Sequence, residues 1–116
     1  MNNKHLNNKA RLIDGLLNHD LKLINYFQTD LTKSKILLIT LKSYYQNENQ
    51  TIEKIIADLP ANISSRAHQL NCITDATAKG YLIKEISQSD MRKKYLKPSV
   101  KLIEEFEVFI KIFKSI

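Results

Sequence analysis

The sequence contains few residues that form cross-links or that interrupt helices. Its 116 residues include one Cys, two Gly and two Pro. The single cysteine, Cys72, excludes an intrachain disulfide, and no neighbouring sequence suggests an activated thiol, so we interpret it as a small buried residue in a reducing compartment. The scarcity of Gly and Pro favours long helices. No apolar run approaches the roughly 18 residues of a membrane span, and no secretory signal is visible, so we expect a cytoplasmic protein.

The motifs of catalysis and of cofactor binding are also missing. No Gly-rich phosphate loop, nucleophile elbow or catalytic-triad order is present in the sequence. His5, His19 and His68 are dispersed, without a partner at metal-ligand spacing, so we expect no metal site. Glu104 and Glu105 are adjacent on the exterior of a predicted helix and are typical of solvated surface. The sequence therefore predicts neither an enzyme nor a cofactor.

What the sequence does contain is a globular composition and a clustered positive charge. Hydrophobic residues make up 43% of the chain and charged residues 26%, and 116 residues fit one domain. The net charge is +6. Between Lys79 and Lys101, seven Lys or Arg oppose two acids, which gives that segment a charge of +5. A surface that binds phosphate groups needs such a concentration of charge.

Two helices joined by a tight break are predicted in the middle of the chain. Apolar residues at helical spacing indicate a short helix over 51–59, which Pro60 stops. A second helix begins after Ser64 or Ser65 and is closed by Gly80. Two helices with this connection are typical of a helix-turn-helix.

A basic hairpin follows the second helix. Residues 81–86 and 93–97 have the composition of two short strands around a polar turn. Asp90 and Arg92 lie two residues apart in that turn, so their side chains are expected on the same side, where the carboxylate holds the turn or orients the guanidinium. Helix, turn, helix and hairpin together predict a winged helix-turn-helix, a mainly α fold with a small β-hairpin.

Amphipathic helices are predicted on both sides of this core. We divide the chain into a disordered leader (1–5) and one domain (6–116), made of an N-terminal helix (6–30), the winged core (31–98) and a C-terminal helix (99–116). The N-terminal apolar stripe either packs on its own domain or, as we favour, pairs with a second subunit, because a small winged helix offers too little surface to cover it. The three Phe of the last helix raise the same choice. The expected dimer contacts are Ile13, Leu17, Ile24, Phe106, Phe109 and Phe113.

Two helix starts are left open by the sequence. Asp30 and Thr32 are both candidate N-caps for an apolar central helix over 33–45. Thr51 or Asn49 begins the helix that follows. Each candidate has a side-chain oxygen that can accept a hydrogen bond from the first turn, so the choice depends on the structure.

Three short stretches of the sequence carry a resemblance to a known family. They are Lys79-Gly80-Tyr81-Leu82-Ile83, the Asp90-Met91-Arg92 triplet of the hairpin, and Leu96 leading to Pro98-Ser99. In this order they resemble the MarR family of winged helix-turn-helix transcriptional regulators. In addition, Leu31-Thr32 followed by Ile36-Leu37 resembles the helix that comes before these motifs in that family. The resemblance covers residues 31–99. It implies a homodimer that binds two half-sites of double-stranded DNA about one helical turn apart, most simply to occlude a promoter.

The resemblance also implies which residues contact DNA. The second helix of the helix-turn-helix becomes a recognition helix whose first turn enters the major groove, where Arg66 reads guanine and Gln69 or Asn71 reads adenine. The wing arginine follows the adjacent minor groove and its lysines contact phosphates, with Asp90 shaping the turn. The candidate DNA-binding residues are Ser64, Ser65, Arg66, His68, Gln69, Asn71, Arg92, Lys93 and Lys94.

Two points stay open at this stage. The recognition helix has two candidate buried faces, one with Ala67, Leu70, Ile73 and Thr77, the other with Cys72, Ile73 and Ala76, and the second would also bury Gln69. The sequence has one helix after the wing where typical members of the family have two, so a small-molecule effector pocket is uncertain.

Two other functions compete with specific DNA binding. One is a winged-helix module that binds a protein and whose basic wing only keeps it soluble. The other is an architectural protein that binds DNA without sequence preference. Salt dependence separates the first alternative from DNA binding, and competition among DNA sequences separates the second.

Overall fold

A computed structural model describes residues 9–11, 13–14 and 21–114 of the chain. Residues 9–11 and 13–14 are helical. The expected leader over 1–5 and the expected dimer contact Leu17 lie outside the described residues.

The described chain alternates helices with three short strands. In order, the elements are α1 (Lys22–Phe27), α2 (Leu31–Tyr45), β1 (Gln50–Thr51), α3 (Ile52–Asp58), α4 (Arg66–Ala78), β2 (Leu82–Ile86), β3 (Lys94–Pro98) and α5 (Val100–Lys114). The helix-turn-helix is α3 with α4, and the wing is the β2–β3 hairpin. The predicted fold class, mainly helical with a small β-hairpin, is confirmed. Among the described residues no helix has both the length and the apolar character that a bilayer crossing requires.

Side-chain caps start the helices of the core and settle the open choices. Asp30 begins α2, because its carboxylate accepts hydrogen bonds from the backbone N–H of Thr32 at 2.7 Å and of Lys33 at 3.2 Å. The Oγ1 atom of Thr51 accepts a backbone N–H at 3.1 Å at the start of α3. The Oγ atom of Ser65 does the same for α4, also at 3.1 Å. Each bond satisfies one of the free N–H groups that every helix start exposes.

Gly80 ends α4 as the sequence predicts. Its φ is +75°, a left-handed conformation that glycine adopts without the strain a Cβ would cause. Its N–H donates to the carbonyl of Thr77 at 3.1 Å, and the N–H of Tyr81 donates to the carbonyl of Ala76 at 3.0 Å. These two bonds form a Schellman motif, which turns the chain sharply from α4 into β2.

The prediction of one continuous helix over 6–30 is wrong at Leu21. Leu21 has φ −95° and ψ 59°, which is not helical, and α1 begins only at Lys22. Leu21 offers no side-chain cap, and Glu105 of α5 supplies it instead. Its carboxylate accepts the N–H of Leu23 at 3.0 and 3.1 Å and the N–H of Ile24 at 3.3 Å. Glu105 is therefore a capping residue and not the solvated surface residue that we expected.

The wing belongs to a three-stranded antiparallel sheet with the order β1-β3-β2. The β2–β3 register places Leu82 opposite Pro98 and Ile86 opposite Lys94. The strand β1 is not predicted from the sequence. It pairs with the other edge of β3, with Thr51 opposite Tyr95.

One hydrophobic core joins α1, all three helices of the winged domain, the sheet and α5. Each of six elements contributes a side chain with at most 2% of its surface exposed, and these are Phe27, Ile36, Ile55, Ile73, Leu82 and Leu102. Burial of each such side chain contributes about 1.5–3 kcal/mol to the free energy of unfolding, so truncation of any one should destabilise the domain.

The dimer contact predicted at Ile24 is wrong, because Ile24 is only 5% exposed and lies in the core of its own chain. The part of the N-terminal region that forms α1 therefore packs on its own domain. Phe106 and Phe109 are half-buried against the same core. Of the predicted dimer contacts that the structure describes, Ile13 and Phe113 are the exposed ones, at 57% and 55%, so both are available to a partner.

Candidate nucleic-acid interface

The orientation of α4 decides which of its side chains can meet DNA. Gln69, Cys72, Ile73 and Ala76 are buried, whereas Ala67 is exposed, so the second of the two predicted faces is the correct one. The Gln69 side chain donates from Nε2 to the carbonyl of Ser64 at 3.0 Å and is 9% exposed. The prediction that Gln69 reads a base is therefore wrong, because its amide closes the first turn of α4 from the inside.

The start of α4 presents several predicted contacts to solvent. Ser65, Arg66 and Asn71 are exposed. Ser64 is half-buried, and its Oγ lies 2.8 Å from the Oγ1 of Thr32, which ties the turn to α2. The exposed group at a helix N-terminus combines side-chain donors with the positive end of the helix dipole.

Arg66 has an intramolecular partner that the sequence did not reveal. Its Nη2 lies 2.8 and 3.0 Å from the carboxylate oxygens of Glu53 in α3. The two side chains are 59% and 70% exposed, respectively. An ion pair this exposed is worth at most about 1 kcal/mol, so the guanidinium can exchange Glu53 for an external acceptor at little cost.

The tip of the wing is held by Asp90. Its Oδ1 accepts the backbone N–H of Arg92 at 3.0 Å and lies 3.4 Å from the guanidinium Nε. The carboxylate therefore both holds the turn and orients the guanidinium, and the two predicted roles are compatible. The Arg92 side chain is 92% exposed and extends into solvent.

A basic groove separates the wing from the helix-turn-helix. Its volume is ≈ 550 Å³, and it is lined by Thr51, Ile52, Glu53, Leu70, Lys84, Arg92, Lys93 and Lys94. Four cations therefore surround one acid, Glu53, which is already paired with Arg66. Lys84 was not among the predicted DNA contacts, although its place in the basic segment is a signal that could have identified it.

Ion pairs concentrate the free positive charge on this groove. Outside the groove, Lys79 pairs with Asp75 at 3.1 Å, and Lys97 pairs with Glu85. Within the part of the chain that the structure describes, Lys84, Lys93 and Lys94 have no acid at ion-pair distance. Three unpaired lysines of the +5 segment therefore line the groove, whereas Lys101 lies apart from it on α5.

His68 faces α2 and has two neighbours that the sequence reasoning missed. Its Nε2 lies 3.0 Å from Oδ2 of Asp30 and 3.5 Å from Sγ of Cys72. Burial and the nearby Asp30 charge raise the pKa of the Cys72 thiol. Desolvation alone would raise the pKa of Asp30, but hydrogen bonds from the Lys33 backbone and from His68 hold it below its ordinary value. The expectation that His68 lacks a partner with ligand chemistry is wrong.

A second polar cluster fixes the other end of α4. The Tyr26 hydroxyl donates a hydrogen bond to the Asp75 carboxylate. Desolvation and this bond raise the pKa of Tyr26, and the same bond lowers the pKa of Asp75. The ammonium groups of Lys33 and Lys79 lie 4.4 and 4.7 Å from the centre of the Tyr26 ring. These contacts attach α4 to α1 and α2, so α4 is anchored along its length.

Taken together, a capped α4 that follows α3 and packs on α2, a Gly-terminated turn and a basic β2–β3 wing define a winged helix-turn-helix. No protein-family model and no curated protein sequence matches the chain. Several solved structures match it. A putative MarR-like transcription regulator from Bacillus cereus has a TM-score of 0.54 at 20% identity, with 99% of this chain and 78% of that chain covered.

Two further solved structures agree with this comparison. A mutant of MepR from a multidrug-resistant S. aureus clinical isolate has a TM-score of 0.59 at 16% identity, with 99% of this chain and 78% of that chain covered. The heme sensor protein PefR from Streptococcus agalactiae, in complex with heme, has a TM-score of 0.50 at 19% identity, with coverages of 92% and 74%. The chain thus has the winged-helix fold of MarR-like transcription regulators, as the sequence resemblance implied.

Proposed function

We propose that this protein is a transcriptional regulator that binds double-stranded DNA sequence-specifically as a homodimer. The recognition helix α4 enters the major groove, and the wing lies along the flanking minor groove. The observation that carries this proposal is the basic groove beside the recognition helix, whose lining includes Lys84, Arg92, Lys93 and Lys94 but one acid, Glu53.

The recognition helix supplies the proposed base contacts. Ser65, Arg66 and Asn71 are exposed near its N-terminus, while its opposite face is locked in the core. Arg66 releases Glu53 and binds guanine or a phosphate, and Asn71 reads adenine. His68 contributes less than the sequence suggested, because its imidazole faces Asp30 at the edge of α2.

The wing supplies the proposed electrostatic contacts. Asp90 holds both the backbone N–H and the guanidinium of Arg92, and the side chain is 92% exposed, which suits a side chain that inserts into a narrow, negative minor groove. Lys93 and Lys94 contact phosphates. These contacts position the protein on the duplex and make its affinity depend on salt.

The homodimer is proposed to form through the terminal helices. The rings of Phe106, Phe109 and Phe113 follow one another along α5, with centroid separations of 6.0 and 5.8 Å. Phe106 and Phe109 already contact the core of their own chain, whereas Phe113 lies outside that core and is 55% exposed. We propose that a two-fold interface covers Phe113 and Ile13, and dimers of helix-turn-helix proteins typically bind half-sites about one turn of DNA apart.

Selection from a random pool of DNA duplexes tests the proposal directly. The purified protein is mixed with the pool at moderate salt, and the retained duplexes are sequenced. An inverted repeat with half-sites about one helical turn apart is the expected result. Retention without any motif would indicate an architectural binder, and no retention at all would favour a winged-helix module that binds protein.

A double lysine variant tests the role of the wing. Replacing Lys93 and Lys94 with Ala removes up to four phosphate contacts from a homodimer. Because each contact contributes about 0.9 to the slope of log K against log salt, the slope should become shallower by about 3.6. The matched control replaces Lys42 and Lys111, which are also exposed but lie on α2 and α5 away from the groove. Equal slopes for the two variants would refute the wing contact.

A single Phe variant tests the proposed interface. Phe113→Ser should shift the protein from dimer to monomer in sedimentation velocity, because it removes an exposed aromatic ring from the subunit contact. Leu38→Ser is a suitable control, since Leu38 is 52% exposed on α2, close to the 55% of Phe113. A Phe113→Ser protein that sediments as the unchanged dimer would place the interface elsewhere.

A further inference from the structure

Three side chains with metal-binding chemistry meet between α2 and α4. They are Asp30, His68 and Cys72, and one ligand atom from each lies within 4.8 Å of the other two. The closest approaches are 3.0 Å between the Asp30 carboxylate and the His68 Nε2, and 3.5 Å between that nitrogen and the Cys72 Sγ. The cluster therefore joins the N-cap of α2 to the first two turns of the recognition helix.

The two separations that involve His68 suit a single tetrahedral ion, and the Asp30 and Cys72 ligand atoms lie within 4.8 Å of each other. With zinc bond lengths of about 2.3 Å to sulfur and about 2.05 Å to nitrogen, tetrahedral angles place the two ligand atoms about 3.5 Å apart. The Cys72 to His68 distance has this value. The same reasoning gives about 3.3 Å between imidazole nitrogen and carboxylate oxygen. The Asp30 to His68 distance of 3.0 Å needs only a small shift to reach it.

The local structure holds the three ligands in place. His68 and Cys72 are four residues apart on α4, so their side chains lie on the same face of the helix. Asp30 uses Oδ1 to cap α2 and turns Oδ2 toward His68, so one oxygen remains for an ion while the cap persists. The capping bonds also fix the orientation of the carboxylate, as hydrogen bonds behind metal ligands commonly do.

Accessibility and ligand chemistry point to the same kind of ion. Cys72 is 4% exposed as a residue, whereas the side chains of His68 and Asp30 are 44% and 32% exposed. An ion would therefore have the protein on one side and solvent on the other. One sulfur, one imidazole and one carboxylate suit zinc and similar transition metals, whereas calcium and magnesium prefer oxygen ligands alone.

We propose that Asp30, His68 and Cys72 form a binding site for a divalent transition-metal ion, best suited to Zn²⁺, with a fourth position open to solvent. On binding, the thiol of Cys72 loses its proton to solvent and its sulfur bonds to the ion. The bound ion then links the start of α2 to the recognition helix.

Cobalt titration of the full chain is the most direct test. Co²⁺ occupies zinc sites, and a cobalt–thiolate bond produces charge-transfer absorption in the near ultraviolet, together with visible bands whose intensity reports tetrahedral coordination. Because Cys72 is the only cysteine, this absorption has one possible source. We expect saturation at one Co²⁺ per chain and loss of the signal on addition of Zn²⁺. Absence of the charge-transfer band at stoichiometric Co²⁺ would overturn the proposal.

Variants identify the other two ligands. Asp30→Asn keeps a residue that caps helices well but removes the charge, and His68→Asn removes the imidazole. Each should weaken Co²⁺ binding at least tenfold, and Cys72→Ser should abolish the charge-transfer band. Asp58→Asn changes an exposed carboxylate outside the cluster and should leave the affinity as in the wild type. Unchanged affinity in both the Asp30 and the His68 variants would exclude the proposed ligand set.

A measurement on the unmodified chain removes dependence on how the variants fold. A bound ion should slow the reaction of Cys72 with a thiol reagent and raise the melting temperature as Zn²⁺ increases, because only the folded chain brings the ligands together. A chelator should reverse both effects. Equal thiol reactivity with Zn²⁺ and with the chelator would contradict the site, whatever the outcome of DNA binding.

Discussion

Replacing Glu105 with Ala removes the only side-chain cap described for α1. The carboxylate accepts the backbone N–H groups of Leu23 and Ile24 at 3.0 to 3.3 Å from a position on α5, more than eighty residues later in the chain. The variant leaves these groups without an acceptor at the end of a six-residue helix that carries three buried side chains.

The expected loss follows from two contributions. Loss of an N-cap hydrogen bond costs about 1 kcal/mol, and loss of a negative charge at a helix N-terminus costs about 0.3–1 kcal/mol more. We therefore expect the free energy of unfolding to fall by about 1–2 kcal/mol. With an unfolding entropy of about 2.1 cal/mol/K per residue, each kcal/mol lowers the melting temperature of this chain by about 4 °C, so the total shift should be about 4–8 °C.

Thermal unfolding followed by circular dichroism measures this shift. Glu104→Ala is the matched control, because Glu104 is the preceding residue of α5 but is exposed. It should change stability by less than about 0.5 kcal/mol. Glu105→Gln should fall between the two, since the amide oxygen still accepts a hydrogen bond. All proteins are compared at one concentration because dimer formation would also shift the melting temperature. Equal melting temperatures for Glu104→Ala and Glu105→Ala would refute the capping role.

Three other perturbations test separate parts of the structure. Gly80→Ala should lower the free energy of unfolding by about 1 kcal/mol in urea denaturation, because the position has φ +75° and an added Cβ meets no atom within 4 Å, so the cost is backbone strain alone. Gly80→Asn should lose less, and equal losses would contradict this reasoning. Partial desolvation and the hydrogen bond to the Glu107 carboxylate raise the pKa of the 47% exposed Tyr45 to about 12, so ultraviolet titration should show one late-ionising tyrosine fewer in Tyr45→Phe. Because this pKa is higher in the folded chain than in the unfolded chain, stability should fall as pH rises from about 10; a pH-independent free energy of unfolding there would contradict it. Asp90→Ala should accelerate tryptic cleavage after Arg92, whose N–H loses its acceptor, and an unchanged cleavage rate would show that the turn does not need this carboxylate.

The features that the sequence predicts correctly depend on neighbouring residues. The termination of α4 at Gly80 involves bonds within a few positions, so residue identity is sufficient to predict it, and the start of α4 is limited to Ser64 or Ser65, of which the structure selects Ser65. The wing turn is similar, since Asp90 and Arg92 meet through a separation of two. The buried face of α4 could not be predicted from residue identity alone, because two faces had comparable apolar content. Packing in the folded chain selected the face that buries Gln69.

The features that the sequence does not predict join residues far apart in the chain. Glu105 caps a helix 82 positions away, and Asp30 meets His68 across 38 positions. Neither pairing leaves a local pattern, because each depends on how whole helices pack. Ile24 illustrates the same limit, since an apolar residue on a stripe suits a dimer interface and a core equally well, and the packing of α1 against α5 places it in the core.

The small strand β1 has a mechanical consequence for DNA recognition. Thr51 belongs to β1, where it pairs with Tyr95 of the wing, and its hydroxyl also caps α3. The wing is thus attached directly to the start of α3, whose Glu53 pairs with Arg66 of α4, and we expect this linkage to restrain the wing relative to α4. If α4 and the wing contact DNA as proposed, the distance between the major-groove and minor-groove contacts should vary little within each subunit. Any adjustment to operators with different half-site spacing would have to come from a change in the angle between the two subunits.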